Sequence, residues 1–267
     1  MFLCASALGS TQILLNSISE TFQNGIANGS GVLGHYLMDH VFDAGVRGRM
    51  TGMEDQYYSG RRPNGVYVPR FQNINEEHGE FIRGYGYEGW SSREGWDRLT
   101  GVVGHGAGFK QQIQNPGDWT FELMGFGEML PRFENHVRLD QHKKDKWGIP
   151  LLHINCTHSD NELNMQKDMA SAAAEMLKIS GFQDVEAYVN DPHPGLCIHE
   201  MGTARMGRDP KTSILNGYNQ AHEVSNLFVT DGASMVSTAC QNPSLTYMAM
   251  TARAVDYAVT KMKEGTL

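Results

Sequence analysis

From about residue 40 to residue 155, short runs of alternating or aromatic character recur between Gly, Pro and Asn: HVFDAGVRGRM, NGVYVPRF, GEFIRGYGY, WTFELMGFGEML, HVRLD and IPLLHINCT. A period of two puts one set of side chains on a single face, so these runs predict strands of a largely antiparallel sheet. At Ser159 the period lengthens, and Leu163, Met169, Ala172, Ala173, Met176 and Leu177 recur at helical spacing. Ser159 with Glu162 fits a capping box and Gly181 ends the run, which predicts a helix lying across one face of the sheet. A strand near VEAYVN follows, and then NLFVTDGA, an apolar strand that breaks at Asp231-Gly232. The last helix opens at Pro243 and carries an apolar stripe of Leu245, Met248, Ala249, Ala252, Val255 and Val259 as far as Lys263. At the other end, Phe2 to Ala5 predict a short buried strand that turns at Ser6 to Gly9 into a helix through Leu14 and Leu15. Such a strand needs neighbours, and nothing downstream offers an obvious parallel βαβ partner. Ser91 to Asn115, rich in glycine and without a clear period, is expected to be a long functional loop or a short irregular helix.

Composition narrows the class of partner. The chain is 40% hydrophobic and 19% charged, ordinary for a soluble globular protein, and no apolar run approaches the roughly 20 residues of a membrane helix. A net charge of -8 without a Lys/Arg cluster argues against nucleic acid; Lys143, Lys144 and Lys146 sit beside Asp140 and Asp145 as a solvated turn. Cys4, Cys156, Cys197 and Cys240 lie too far apart for a close-set metal spacing. Cys197 with His193 and His199 invites a metal reading, but no second ligand pair answers it, and no metal is expected. The opening MFLCASALGSTQILLNS lacks the basic n-region and cleavage site of a signal peptide.

Two segments carry candidate chemistry. Asn242 is placed as an N-cap with Pro243 at the first helical position, and a helix opening offers free N–H groups and a positive dipole end to an anion or a carbonyl-rich ring. Capping alone also explains the pair. His199 is suited to proton transfer near neutral pH, as histidines are, and Gly202, Thr203, Ala204 and Gly207 after it permit close approach of backbone to a planar ligand. The glycines of NGIANGSGVLG, Gly25, Gly29, Gly31 and Gly34, serve either a surface loop or a ligand.

HEMGTARMG, then NLFVTDGASM and QNPSLTYMAMTARAVDYA, resemble the C-terminal signature of the glucose-methanol-choline oxidoreductases, and ASALGSTQILLNS is similar to that family's second signature, with Thr11 and Ile18 as departures. The resemblance implies FAD as cofactor and oxidation of a sugar or alcohol hydroxyl. It implies His199 as catalytic base and Asn242 as its assistant. It also assigns Asp231, Gly232 and Ala233 to an FAD-contacting strand end, and Asn242, Pro243 and Thr246 to the helix start facing the flavin. NGVYVPRF, FIRGYGYEGW, GFGEMLPR and KDKWGIPLLHI are similar to bacterial members that oxidise pyranosides, including glucoside 3-dehydrogenases. Tyr85, Tyr87, Trp90 and Glu128 either line a sugar site or are plain sheet residues.

The expected fold is α+β. Residues 1–35 would end an FAD-binding, Rossmann-like domain, 36–190 would form an antiparallel-sheet substrate domain, and 191–267 would bring the catalytic histidine and the closing strand and helix. The dinucleotide-binding GxGxxG has no counterpart, since GSGVLG follows no strand; the chain is expected to be a fragment whose missing segment is encoded upstream of Met1 or on a separate chain. Oxygen, a quinone and a cytochrome all stand as electron acceptors, and the resemblance suggests the periplasm. The alternative is a non-catalytic binding or assembly module derived from such an enzyme.

Overall fold

The computed structural model describes residues 1–53, 65–77, 79–93, 95–101, 103–114, 117–190 and 193–267; Asn64, Glu94, Val102, Asn115 and Asp191, which fall in segments read above, lie outside the described residues. In chain order the strands are β1 (Phe2–Leu3), β2 (His40–Val41), β3 (Ala44–Met50), β4 (Gly65–Val68), β5 (Tyr85–Arg93), β6 (Trp119–Glu128), β7 (His136–Lys144), β8 (Pro150–Asn155), β9 (Gln183–Val189) and β10 (Phe228–Val229). The helices are α1 (Ala7–Asn16), α2 (Gly106–Gln114), α3 (Asp160–Ile179) and α4 (Ser244–Glu264). Contacts divide them between two units, one made of Met1–Val41, Glu128–Glu162 and His193–Leu267, the other of Phe42–Gly127 and Leu163–Pro192.

The second unit holds an antiparallel sheet in the order β4-β5-β6-β3-β9, while HVRLD and IPLLHINCT, expected in the same sheet, become β7 and β8 and pair with each other in a separate two-stranded sheet of the first unit. Helix α3 lies on the second unit's sheet as its period requires, with Met169, Ala173 and Leu177 buried. The approach is close at Gly125 of β6, where a Cβ would run into the Met169 sulfur at 2.6 Å. Tyr85 and Tyr87 of β5 are fully buried; Tyr85 Oη donates to Asp168 Oδ2 at 2.5 Å and Tyr87 Oη to the Met169 carbonyl at 2.7 Å. Withdrawal from water raises both phenols above their ordinary pKa. Of the two readings offered for these tyrosines, the sheet core is correct, because both rings are fully buried and show no face to a sugar. The stretch from Ser91 is more regular than expected, since β5 continues to Arg93 and Gly106–Gln114 is helical.

In the first unit the predicted capping box is half realised: the Glu162 side chain reaches back to the Ser159 amide, but among the described residues no bond from the Glu162 amide to the Ser159 hydroxyl completes it. The fully buried Glu162 carboxylate accepts the Ser159 amide at 2.7 Å, the Ser159 hydroxyl at 2.5 Å and the Leu130 amide at 3.1 Å. Changing Glu162→Ala strands two backbone donors, at about 1–3 kcal/mol for a buried group. The variant is expected to be less stable by about 2 kcal/mol in urea unfolding, with Glu162→Gln recovering part of the loss.

The first strand has a partner that the sequence did not disclose. β1 pairs in parallel with β10, Phe2 opposite Phe228 and Leu3 opposite Val229, so the connection is nearly the whole chain rather than a local crossover. Helix α1 packs Ala7 and Leu14 into a core with Leu33, Ile214, Leu227 and Val229. The β7–β8 hairpin keeps Lys143 and Lys144 exposed, with Asp140 accepting the His142 and Lys143 amides at 2.8 and 2.9 Å. Helix α4 is where predicted, but it buries its small residues, Ala254 and Ala258, against Phe228 and leaves the large apolar stripe outward, Leu245 at 75% and Met248 at 61% exposure. Among the described residues no helix is long and apolar enough to cross a membrane.

Candidate active site

The backbone around His199 is strained and clamped. Ile198 has φ 57°, a left-handed conformation that costs a β-branched residue roughly 1–2 kcal/mol. Such strain persists only where the surroundings over-determine it. Here they do, through Asp39, which is 2% exposed. Its Oδ2 accepts the amides of Gly195 at 3.0 Å and Cys197 at 3.1 Å, and its Oδ1 accepts those of His199 at 3.0 Å and His40 at 2.8 Å. Met38 and Met201 then exchange both backbone hydrogen bonds at 2.9 Å, joining the two segments as an antiparallel bridge.

On the other side the histidine segment runs beside the strand end after β10. The amides of Gly202, Ala204 and Met206 donate to the carbonyls of Gly232, Ala233 and Ser234 at 3.0, 2.8 and 3.0 Å. Gly232 must be glycine, because a Cβ there would collide with the Glu200 carbonyl oxygen. Ala233 is fully buried by the chain itself. Asp231 accepts the Ser10 hydroxyl and the Ala233 amide, and burial raises its pKa despite those bonds. These three predicted cofactor residues therefore form the frame under the site: the Asp231 carboxylate, the Gly232 carbonyl and the buried Ala233 are all engaged within the protein.

Asn242 and Thr246 are placed differently. Both are exposed, at the opening of α4. The helix proper starts at Ser244, and the buried Pro243 sits at its N-cap with helical backbone angles, its carbonyl accepting the Tyr247 amide at 3.0 Å. The expected cap was Asn242; the one-residue difference follows from Pro243 already having helical dihedrals. First-turn amides of a helix lack intrahelical acceptors. With Ser244, Leu245 and Thr246 exposed, this opening presents donors at a positive dipole end, a set that fits the carbonyl-rich pyrimidine ring of a flavin.

The loop before α4 ties the opening to His199. Ser237 Oγ donates to the buried Glu128 Oε1 at 2.6 Å, and Thr238 Oγ1 accepts the Met129 amide at 3.1 Å. The Thr238 carbonyl lies 3.0 Å from His40 Nε2, while His40 Nδ1 lies 3.0 Å from His199 Nδ1, the two rings meeting edge to face at 88°. Cys197 Sγ stands 3.3 Å from His199 Nδ1 and 3.5 Å from His40 Nδ1. His40 is almost fully buried, and loss of water pulls its pKa below the ordinary histidine range, with the Thr238 carbonyl opposing. The third group beside Cys197 and His199 is thus His40, among the described residues, where the sequence had suggested His193.

Residues 131–251 match the C-terminal family model described as GMC oxidoreductase. The chain is 31% identical over 268 residues to a 2-methyl-1,2-propanediol dehydrogenase of Mycolicibacterium austroafricanum, covering 95% of this chain and 46% of that protein. It is 26% identical over 266 residues to the fructose dehydrogenase large subunit of Gluconobacter japonicus, covering 98% and 47%. Over a shorter stretch of 127 residues, 45% of this chain and 23% of the relative, it is 33% identical to a C-glycoside 3-oxidase of Arthrobacter globiformis. The chain spans about half the length of these first two relatives. A formate oxidase of Aspergillus oryzae shares the fold at a TM-score of 0.57 and 11% identity, over 98% of this chain and 54% of that one.

Proposed function

We propose that the chain, whose residues 131–251 match the C-terminal model of the GMC oxidoreductases, forms the catalytic half of an FAD-dependent enzyme that oxidises a hydroxyl group of a pyranoside. The observation that carries this reading is the clamped His199, half-buried on a strained backbone, in one unit with an exposed donor-rich helix opening. His199 takes the hydroxyl proton of the substrate, and Asn242 holds the oxygen from which it leaves. FAD, when bound, would supply the hydride-accepting chemistry by which the alcohol carbon becomes a carbonyl. Asn242, Pro243 and Thr246 form the helix opening that would hold the flavin, and Asp231, Gly232 and Ala233 support it from beneath. The apolar stripe left open on α4 supports a nucleotide-binding segment packed beside it, in the same polypeptide or in a separate chain. The names of two relatives, C-glycoside 3-oxidase and pyranose 2-oxidase, favour a sugar ring, whereas 2-methyl-1,2-propanediol dehydrogenase favours a small alcohol. A periplasmic setting suits the sugar substrate.

The enzyme with its nucleotide-binding part should purify yellow, and glucosides should bleach the flavin faster under anaerobic conditions than small diols do. Faster bleaching by diols would move the substrate class, and a colourless protein that binds no added FAD would leave only the binding-module alternative.

A further inference from the structure

A neutral imidazole has one N–H and one lone pair, so a histidine acts as a base only through the nitrogen that its neighbours leave unprotonated. At His199 those neighbours decide the matter. His40 Nε2 faces the Thr238 carbonyl oxygen at 3.0 Å, and a carbonyl only accepts, so Nε2 of His40 carries a hydrogen. The ring is 1% exposed, and its burial disfavours the doubly protonated form. His40 Nδ1 therefore holds a lone pair. That atom lies 3.0 Å from His199 Nδ1, where two lone pairs would repel and one shared hydrogen makes a bond. The hydrogen belongs to His199. The Cys197 sulfur lies 3.3 Å from His199 Nδ1 and 3.5 Å from His40 Nδ1, and as a weak donor and weak acceptor it can take that hydrogen or give its own to the His40 lone pair; a thiol hydrogen aimed at His199 Nδ1 instead would leave two lone pairs facing each other across 3.0 Å.

We propose that His40 is a positioning residue which, braced by the Thr238 carbonyl, fixes His199 in its Nδ1–H tautomer and so presents Nε2 as the proton-accepting atom. The inference rests on the reading of His199 as the base and names the atom that does the work. Its geometry is tightly held, since one oxygen of Asp39 accepts the amides of both histidines and pins the two backbones to a single point. Among the described residues His199 Nε2 has no hydrogen-bond partner, and the ring is only half-buried, which leaves that nitrogen open to a substrate. When the hydroxyl proton arrives at Nε2, the Nδ1–H stays in place and the ring becomes imidazolium. Its bond to His40 is then charge-assisted and shorter, so the pair stabilises the protonated base. The arrangement fills with an imidazole the place that a carboxylate takes behind the histidine of a serine protease triad.

The test is a long-range proton–nitrogen correlation spectrum of the full chain labelled with 15N-histidine, recorded above the titration of its 11 histidines, with His199→Gln to assign the signals. Imine-type and amine-type ring nitrogens separate clearly in such spectra. The expected result is an imine-type Nε2 and a protonated Nδ1 at His199, with the reverse pattern at His40. His40→Asn keeps an acceptor oxygen near the Nδ1 position and should preserve the His199 tautomer, whereas His40→Leu should shift it toward the Nε2–H form that neutral histidine prefers in water. A protonated Nε2 in the unmodified protein overturns the inference, and so does a His199 tautomer unmoved by His40→Leu. Stoichiometric metal in the purified protein, with both Nδ1 atoms and Cys197 as its ligands, overturns it as well. Should His40→Leu not fold, the two tautomers of the unmodified chain decide the question alone. Failure of the base reading shows elsewhere, as undiminished flavin reduction in His199→Ala, whatever the tautomer.

Discussion

Replacing His199 with alanine is expected to slow reduction of the bound flavin by substrate about 10²-fold or more in the FAD-loaded enzyme, the usual scale for a positioned proton acceptor. The substitution removes the lone pair that receives the hydroxyl proton and leaves the helix opening at Asn242 and Thr246 untouched. Flavin binding should therefore survive while kcat and kcat/KM fall together, the pattern of an interaction made in the transition state. Anaerobic stopped-flow absorbance reads the reductive step directly. Reduction at the unmodified rate would remove His199 from the chemistry.

The second large effect is on stability. Asp39→Ala leaves four backbone amides, those of His40, Gly195, Cys197 and His199, without the carboxylate they share. A buried donor without an acceptor costs about 1–3 kcal/mol, and some of the four will find water as the segment relaxes. A loss of about 4 kcal/mol is expected, close to a thousandfold in the folding equilibrium at about 1.4 kcal/mol per factor of ten. Asp39→Asn keeps one acceptor oxygen and should lose about half as much. Urea unfolding midpoints measure both, and an Asp39→Ala midpoint equal to that of the unmodified protein would show that Asp39 does not clamp the segment.

What the sequence disclosed and what it hid divide along a physical line. Helix α3 was legible because its signals are local: a serine and a glutamate at capping distance, a 3.6-residue period and a terminal glycine at φ 86°. The sheet strands were legible for the same reason, as alternation between turn residues. The partner of β1 was not, since a two-residue strand carries no mark of the distant segment it will meet. On α4 the period was plain but the buried face was not, because alanines packing against Phe228 give a weaker signal than the leucine and methionine that stay outside. His199 stood out through its glycine-rich surroundings. Asp39, His40 and Thr238 did not, as each is an ordinary residue in its own neighbourhood and matters only through contacts made across the fold. An adjacent acid and histidine between apolar residues, MDHVF, was the one trace available.

The interleaving of the two units bears on how the chain is made. A ribosome delivers the sheet unit, Phe42–Gly127 and Leu163–Pro192, complete before it delivers His193–Leu267, the last segment of the other unit. Met1–Val41 must therefore wait, with β1 and α1 lacking β10 and with His40 lacking both Thr238 and His199, until residues near the end emerge. Contacts of such sequence separation form late and slowly. Nascent chains stalled once Pro192 has cleared the ribosome, with most of His193–Leu267 still inside or unmade, should accordingly protect the sheet from protease while Met1–Val41 is still cut.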